Sequence, residues 1–218
     1  MRFYDELSAA TEAERNEFTA IPLIGRAIAD GVDRALYVEF LTSAYHHVSH
    51  TVPLLALAIA RCGSGDEIYR KGLLTYIDEE VEHDEWILED IADMGGDAVA
   101  VRNGQGPFPV RMMVAYAYHM IDRVSPYCLL GMVHVLEGMS VALAIRAADS
   151  IRSKLGMAGG KGFSYLTSHG ALDVSHVEIF ASLLDQVDTP ERRKVVIGAA
   201  KDFYRLYGDV FRELGKGA

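Results

Sequence analysis

The sequence predicts an all-α protein, and three observations support this class. Apolar residues recur at three- and four-residue spacing along most of the 218 residues, and two-residue alternation is scarce. The chain contains only six prolines, few enough to leave long helices intact. Hydrophobic residues make up 50% of the chain, which argues against disorder and supplies a sizeable core. Because no segment reads as a linker, we expect residues 1–218 to form a single-domain helical bundle of roughly seven helices.

The first half of the chain is predicted to form four helices. Pro22 is favoured at the first position of a short helix, and Asp33 is expected to cap a long one. Pro53 is expected to kink that long helix, and Gly95-Gly96 should end the next one. The four predicted helices cover residues 5–18, a short stretch after Pro22, residues 33–62 and residues 66–94.

The second half alternates loops rich in glycine or proline with helices. A Gly- and Pro-rich loop at 104–109 and a flexible loop at 156–162 separate the segments. Pro126 should open a very apolar helix, and Thr189 should cap the last helix with Pro190 as its first residue. The predicted helices are one that ends near Arg123, then 126–155, 164–187 and 190–214.

Charge and termini limit the possible partners and location. The 21 Lys and Arg against 31 Asp and Glu give a net charge of −10, which argues against binding nucleic acid or anionic membranes. We see no membrane span, and the first residues lack an apolar signal core, so a cytoplasmic protein is expected. The two cysteines, Cys62 and Cys128, do not make a disulfide framework.

Three residues that commonly bind metals share one helical stripe near the C-terminus. His169, Asp173 and His176 have the spacing i, i+4, i+7, and the stripe also carries apolar residues such as Phe180. Burying one carboxylate and two imidazoles without partners would cost several kcal/mol. A metal ion would compensate for that cost; a buried Asp-His hydrogen-bond network without metal is the alternative.

A second signal is the lone acidic residue of the most apolar helix. Glu137 is the only Asp or Glu between Cys128 and Ile145. A helix that is apolar nearly all round is expected to be buried, where a glutamate needs a partner or a cation. The alternatives are a protonated glutamate or one paired with a buried arginine.

The third signal lies in the acidic run at residues 79–85. Glu80 falls inside the apolar stripe and His83 at its edge, whereas Glu82 falls on the opposite side. Glu80 and His83 form an i, i+3 pair that can hold one metal ion from one helix. Glu79 is the alternative partner of His83, and Asp84 also points inward, next to the site.

Together these signals give three carboxylates and three imidazoles on three helices. Six mixed nitrogen and oxygen ligands are about what two iron ions need while keeping positions open for O2 and substrate. The predicted metal ligands are Glu80, His83, Glu137, His169, Asp173 and His176.

These motifs resemble the haem-oxygenase-like diiron oxidases, which share a seven-helix superfamily with TenA (thiaminase II) and PqqC. The resemblance runs from Tyr37 to Phe211, and the His169–His176 element is its most specific part. It implies a haem-oxygenase-like bundle, an O2-activating oxidoreductase with two non-haem iron ions per chain, a small-molecule substrate and a homodimer. Several members carry the first glutamate seven residues before the histidine, where this chain has Tyr76. We therefore also count Tyr76 among the candidate neighbours of the site.

Charge suggests the kind of substrate. Two Fe(II) ions bring +4 and the three carboxylates bring −3, so one more anion would neutralise the site. A substrate that carries a carboxylate would supply it, and hydroxide is the alternative.

Other candidates complete the prediction. By the resemblance, the helix that carries His46 and His50 lines the active-site cavity, so both are candidate substrate or ligand neighbours. Cys128 follows a proline, as the nucleophilic cysteine of TenA-type thiaminases does, which makes a TenA-like aminohydrolase the main rival function. A non-catalytic TenA-like regulator is the third.

Overall fold

The computed structural model describes residues 2–167 and 180–217, and this part of the chain is helical without a β-strand. The predicted all-α class is confirmed, but the described residues contain eleven α-helices instead of seven. They are α1 Phe3–Ala10, α2 Glu12–Thr19, α3 Pro22–Ala29, α4 Arg34–Val48, α5 Thr51–Arg61, α6 Glu67–Glu80, α7 His83–Asp93, α8 Ala98–Asn103, α9 Phe108–Arg123, α10 Cys128–Lys154 and α11 Pro190–Leu214, followed by a 3₁₀ turn at Gly215–Gly217. Residues 164–167 and 180–184 are also helical.

Several predicted helix ends are confirmed by their caps. The Asp33 side chain accepts a hydrogen bond of 2.9 Å from the backbone N–H of Leu36, and the Thr189 hydroxyl caps α11 through Arg192. Gly95 has φ of 80° and ends α7 as the glycine pair predicts. These ends are set by neighbours in sequence, which is why local patterns locate them.

The long helix predicted over 33–62 is broken at Ser49 and His50 instead of being kinked at Pro53. Pro53 lies in the first turn of α5. Backbone N–H groups in a first turn have no partner within the helix, so a proline there loses no hydrogen bond. The prediction of a kink at Pro53 was therefore wrong.

A second break falls in the middle of the helix predicted over 66–94. Val81 is extended and Glu82 has the left-handed φ of 74°, so α6 ends at Glu80 and α7 begins at His83. Glu82 is the one residue other than glycine with positive φ in the described part of the chain. Such a conformation costs about 1–3 kcal/mol and is usually maintained by surrounding structure. Glu80 and His83 therefore come from two helices, not from one as predicted.

α10 is the central helix, and it packs against α3, α5, α9 and α11. Its approach to α11 is close, because a Cβ at Gly131 would lie 2.6 Å from the backbone nitrogen of Ala200. Among the described helices, α10 alone is long and apolar enough to cross a membrane, and 61% of its most apolar 18-residue window is buried in the bundle. A core helix meets the same criterion, so this is weak evidence for a span.

Candidate metal centre and cavity

An apolar cavity of about 130 Å³ lies between α10 and the helices that surround it. Engineered apolar cavities of about this size hold a molecule of benzene, so there is room for a small organic group. Most of the lining side chains are aliphatic or aromatic. The polar or ionisable lining residues are His47, Thr51, Tyr76, Glu80, Glu137, Ser140, Tyr165 and Tyr207.

Glu137 projects from α10 into this cavity and is 8% exposed. The hydroxyl of Tyr76, on α6, donates a hydrogen bond of 2.8 Å to Glu137 Oε1. Tyr76 is itself buried. The structure thus places the lone glutamate of the apolar helix in direct contact with Tyr76, one of the predicted neighbours of the site.

Glu80 and His83 form the second element of the site. Glu80 Oε2 lies 3.3 Å from His83 Nδ1, and each side chain is 3% exposed. Glu80 lines the cavity, and His83 joins the site through this contact. The His83 ring lies against Trp86, with ring centroids 4.4 Å apart and the planes tilted by 32°. Glu80 and His83 flank the helix break and are both buried, whereas Glu82 itself is exposed. The prediction that Glu80 faces inward and Glu82 outward is confirmed.

The other two acidic candidates are less buried. Glu79 is half-buried at the penultimate position of α6, and Asp84 is half-buried in the first turn of α7. Neither lines the cavity. The structure therefore brings Glu80, rather than Glu79, to the cavity wall.

The remaining three predicted ligands, His169, Asp173 and His176, lie outside the described residues. Within residues 2–167 and 180–217, no three His, Cys, Asp or Glu side chains are grouped closely enough to hold a metal ion. The donors that are described fit iron in type, because buried carboxylates and imidazole are ligands of non-haem iron sites. They come from three helices, Glu80 from α6, His83 from α7 and Glu137 from α10, and both carboxylates line one cavity.

Of the three histidines at the end of α4, the structure brings His47 to the cavity. His47 is 4% exposed, and its Nδ1 lies 3.1 Å from the carbonyl oxygen of Ser43. A carbonyl only accepts, so Nδ1 carries the proton and Nε2 is the basic nitrogen. The helical phase of α4 could have identified His47, because Phe40 and His47, both on the cavity wall, are two helical turns apart.

His46 and His50 lie elsewhere. His46 packs against Gly106, where a Cβ would come within 2.6 Å of its ring, and His50 Nδ1 lies 3.0 Å from the hydroxyl oxygen of Tyr118. Burial lowers the pKa of both imidazoles. The structure places both outside the cavity lining.

Cys128, the candidate nucleophile, is fully buried at the start of α10 and does not line the cavity. Burial raises the pKa of its thiol to about 11. A thiol with that pKa is protonated at neutral pH, and the thiolate is the nucleophilic form. The environment of Cys128 is therefore that of a core residue.

The sequence profile of a family described as iron-containing redox enzymes matches residues 38–208. No curated protein matches the chain. Among solved structures, a domain of unknown function with a haem-oxygenase-like fold from Shewanella denitrificans superimposes with a TM-score of 0.86 at 21% identity, covering 96% of this chain and 90% of that chain.

Two further structures show the same fold. A TenA homologue from Pseudomonas syringae has a TM-score of 0.82 at 11% identity, over 97% of this chain and 92% of that chain. Haem oxygenase from Leptospira interrogans has a TM-score of 0.77 at 15% identity, over 98% of this chain and 100% of that chain. The haem-oxygenase-like fold expected from the motifs is thereby confirmed.

Proposed function

Because the chain belongs to the family of iron-containing redox enzymes, we propose that it is a non-haem diiron enzyme that uses O2 to oxidise or oxygenate a small organic molecule. The observation that carries the proposal is the placement of Glu80 and Glu137, two buried carboxylates from different helices, on the wall of one apolar cavity. His83 adds a buried imidazole beside Glu80.

In this proposal Glu80 and His83 hold mainly one iron ion. His169 and His176 hold the other side of the site, and Glu137 and Asp173 bind or bridge. Bound ferrous iron would supply the electrons and the open coordination positions that O2 activation requires.

The chain's own residues prepare the site for that chemistry. Tyr76 keeps its proton on Oη and directs it at Glu137 Oε1, which fixes the orientation of the carboxylate. His47 also lines the cavity wall, where the hydrogen bond from its Nδ1 to the Ser43 carbonyl oxygen fixes the orientation of the ring. The aliphatic and aromatic lining keeps water away and favours a substrate with an apolar body.

The charge of the cavity supports a substrate that also carries an anionic group. Neither lysine nor arginine occurs among the described residues that line the cavity. A carboxylate on the substrate would therefore find its counter-charge at the metal site, as the excess of one positive charge in the filled site suggests.

A TenA-like hydrolase that attacks through Cys128 is the second candidate, and the fold likeness to the Pseudomonas syringae TenA homologue favours it. The buried, protonated thiol of Cys128, away from the cavity, speaks against it. A TenA family transcription regulator from Silicibacter has the same fold, at 12% identity and a TM-score of 0.79 over 97% of this chain and 96% of that chain. A regulatory role would not explain why two buried carboxylates line the cavity.

The proposal is tested by anaerobic titration of the metal-free protein with Fe(II), followed by exposure to O2. We expect about two iron ions per chain and O2 consumption that requires the bound iron, measured with an oxygen electrode. A protein that binds no iron, or that binds iron and consumes no O2, would contradict it.

A further inference from the structure

Asp90 is a buried carboxylate that the proposed ligand set does not use. It lies on α7 and is 1% exposed. It follows His83 by seven residues, close to two helical turns, so the two residues lie on the same side of α7. A buried carboxylate so placed needs strong partners.

The partners of Asp90 are at the start of the helical residues 164–167. Its Oδ1 accepts hydrogen bonds from the backbone N–H of Ser164 at 2.9 Å and from the Ser164 hydroxyl at 2.6 Å. Its Oδ2 accepts one from the backbone N–H of Tyr165 at 2.8 Å. One side chain of α7 thus receives three hydrogen bonds from two successive residues more than 70 positions away in sequence.

Asp90 caps the start of the helical residues 164–167 from another helix, whereas a capping side chain usually belongs to the same segment. The first N–H groups of a helix have no intrahelical acceptor, and an oxygen of the N-cap side chain often accepts from them. Phe163 precedes the helical residues and has no such oxygen. The carboxylate of Asp90 replaces it, and its negative charge suits the positive end of the helix dipole.

The segment held by Asp90 is also a wall of the cavity. Tyr165 and Leu166 line the cavity. Just before them, the Tyr37 hydroxyl donates a hydrogen bond of 3.0 Å to the carbonyl oxygen of Gly162. His169, the first of the three remaining predicted ligands, follows Leu166 by three residues in sequence.

We propose that Asp90 is a positioning residue: it fixes the start of the segment that leads to His169, Asp173 and His176 relative to α7, whose first residue is the ligand candidate His83. The inference rests on the proposed diiron function. Its physical basis is that one helix carries both His83 and the acceptor that holds Ser164 and Tyr165, so the position of the cavity wall at 164–166 relative to His83 is set before metal binds.

The test compares Asp90→Ala and Asp90→Asn with the matched control Asp66→Ala. Asp66 is also a buried carboxylate, 7% exposed, which accepts from the Gly63 N–H at 2.7 Å, from the Tyr127 hydroxyl at 2.8 Å and from Arg192 at 2.7 Å. It does not line the cavity. Both alanine variants should lower the melting temperature, so stability alone does not separate them.

Iron affinity and amide hydrogen exchange distinguish Asp90→Ala from Asp66→Ala. Asp90→Ala should weaken Fe(II) binding about 10-fold, the low end of the effect of removing a direct hydrogen-bond partner of a metal ligand, because Asp90 acts through Ser164 and Tyr165. Asp66→Ala should not weaken it. Asp90→Asn keeps one acceptor oxygen and should restore part of the affinity. In the metal-free protein, amide exchange in the peptide covering 160–167 should become faster in Asp90→Ala and stay unchanged in Asp66→Ala.

Wild-type iron affinity in Asp90→Ala would overturn the proposal, as would an equal loss of affinity in Asp66→Ala. Faster exchange with unchanged iron binding would reduce Asp90 to a plain helix cap and would also overturn it. If the wild-type protein itself binds no iron, the proposed function is wrong, and the exchange comparison alone decides whether Asp90 fixes the cavity wall at 164–166.

Discussion

The Tyr76 hydroxyl donates a 2.8 Å hydrogen bond to Glu137 Oε1 across the interface of α6 and α10, with both side chains buried at the cavity wall. Glu137 is the only acidic residue in the apolar part of α10, so this contact is a direct compensation by the protein for its burial. In the metal-free protein, this hydrogen bond therefore offsets part of the repulsion among the carboxylates of the site.

The first prediction measures this contact by a double-mutant cycle in chelator. Tyr76→Phe should lower the free energy of unfolding by about 1–3 kcal/mol, because the carboxylate loses a buried donor. In a Glu137→Leu background the same substitution should cost much less, since the acceptor is already absent. Urea unfolding of the four proteins gives the coupling. Equal costs in both backgrounds would show that the hydrogen bond contributes nothing to stability.

The second prediction concerns the acidic run. Glu80→Ala should lower the number of iron ions bound per chain, because Glu80 is buried at the cavity and touches His83. The matched control Glu82→Ala should bind as much iron as the wild type, because Glu82 is exposed. Iron is counted after anaerobic loading and desalting. Equal losses in the two variants would show that the assignment of Glu80 is wrong.

These two residues also show how far the sequence could predict the site. The phase of the apolar stripe correctly separates Glu80 from Glu82, because helical periodicity holds on either side of a short break. The break itself cannot be predicted from the sequence, because neither Val81 nor Glu82 is a residue that usually ends a helix, and the left-handed conformation is rare for glutamate.

Long-range contacts account for most of what sequence reasoning missed. The cap at Asp33 involves a neighbour three residues away and was predictable, whereas Asp90 caps a segment whose first residue is Ser164. The sequence points to His46 and His50 rather than His47, because the spacing within a histidine cluster does not show which face of the helix is buried. Aligning the cluster with Phe40, an apolar residue of the same helix, would have done so.

The third prediction uses the conformation of Glu82. Its φ of 74° is favourable for glycine and strained for other residues. Glu82→Gly should therefore raise the free energy of unfolding by about 0.5–1 kcal/mol, and Glu82→Ala should not. Thermal and urea unfolding in chelator measure the difference. A glycine variant no more stable than the alanine variant would show that the left-handed conformation at position 82 costs little free energy.

The fourth prediction separates an oxidase from a thiol-dependent hydrolase. Cys128→Ser should leave iron binding and O2 consumption nearly unchanged, because the thiol is buried, protonated and away from the cavity. Both are measured on the iron-loaded protein beside the wild type, with melting temperature as the check on folding. Loss of turnover in a folded variant with iron binding intact would favour the hydrolase.

The last prediction is a pH dependence that arises from His134. This imidazole is buried on α10, where its Nε2 lies 3.2 Å from the Thr11 hydroxyl oxygen. Burial, with a smaller contribution from the charge of Arg15, lowers its pKa from 6.5 to about 4. The folded protein therefore keeps His134 neutral over a range in which the unfolded chain takes up a proton. The stabilisation is complete above pH 6.5, decreases as the pH falls towards 4 and then levels off, for a total of about 3 kcal/mol.

Glutamine does not take up a proton in this range, so the free energy of unfolding of His134→Gln should fall less steeply between pH 6.5 and 4 than that of the wild type. Urea unfolding in chelator at several pH values measures the slope, with His119→Gln, which replaces an exposed imidazole, as the control. A wild-type slope in His134→Gln would show that His134 is protonated in the folded protein and that the acid sensitivity comes from other groups.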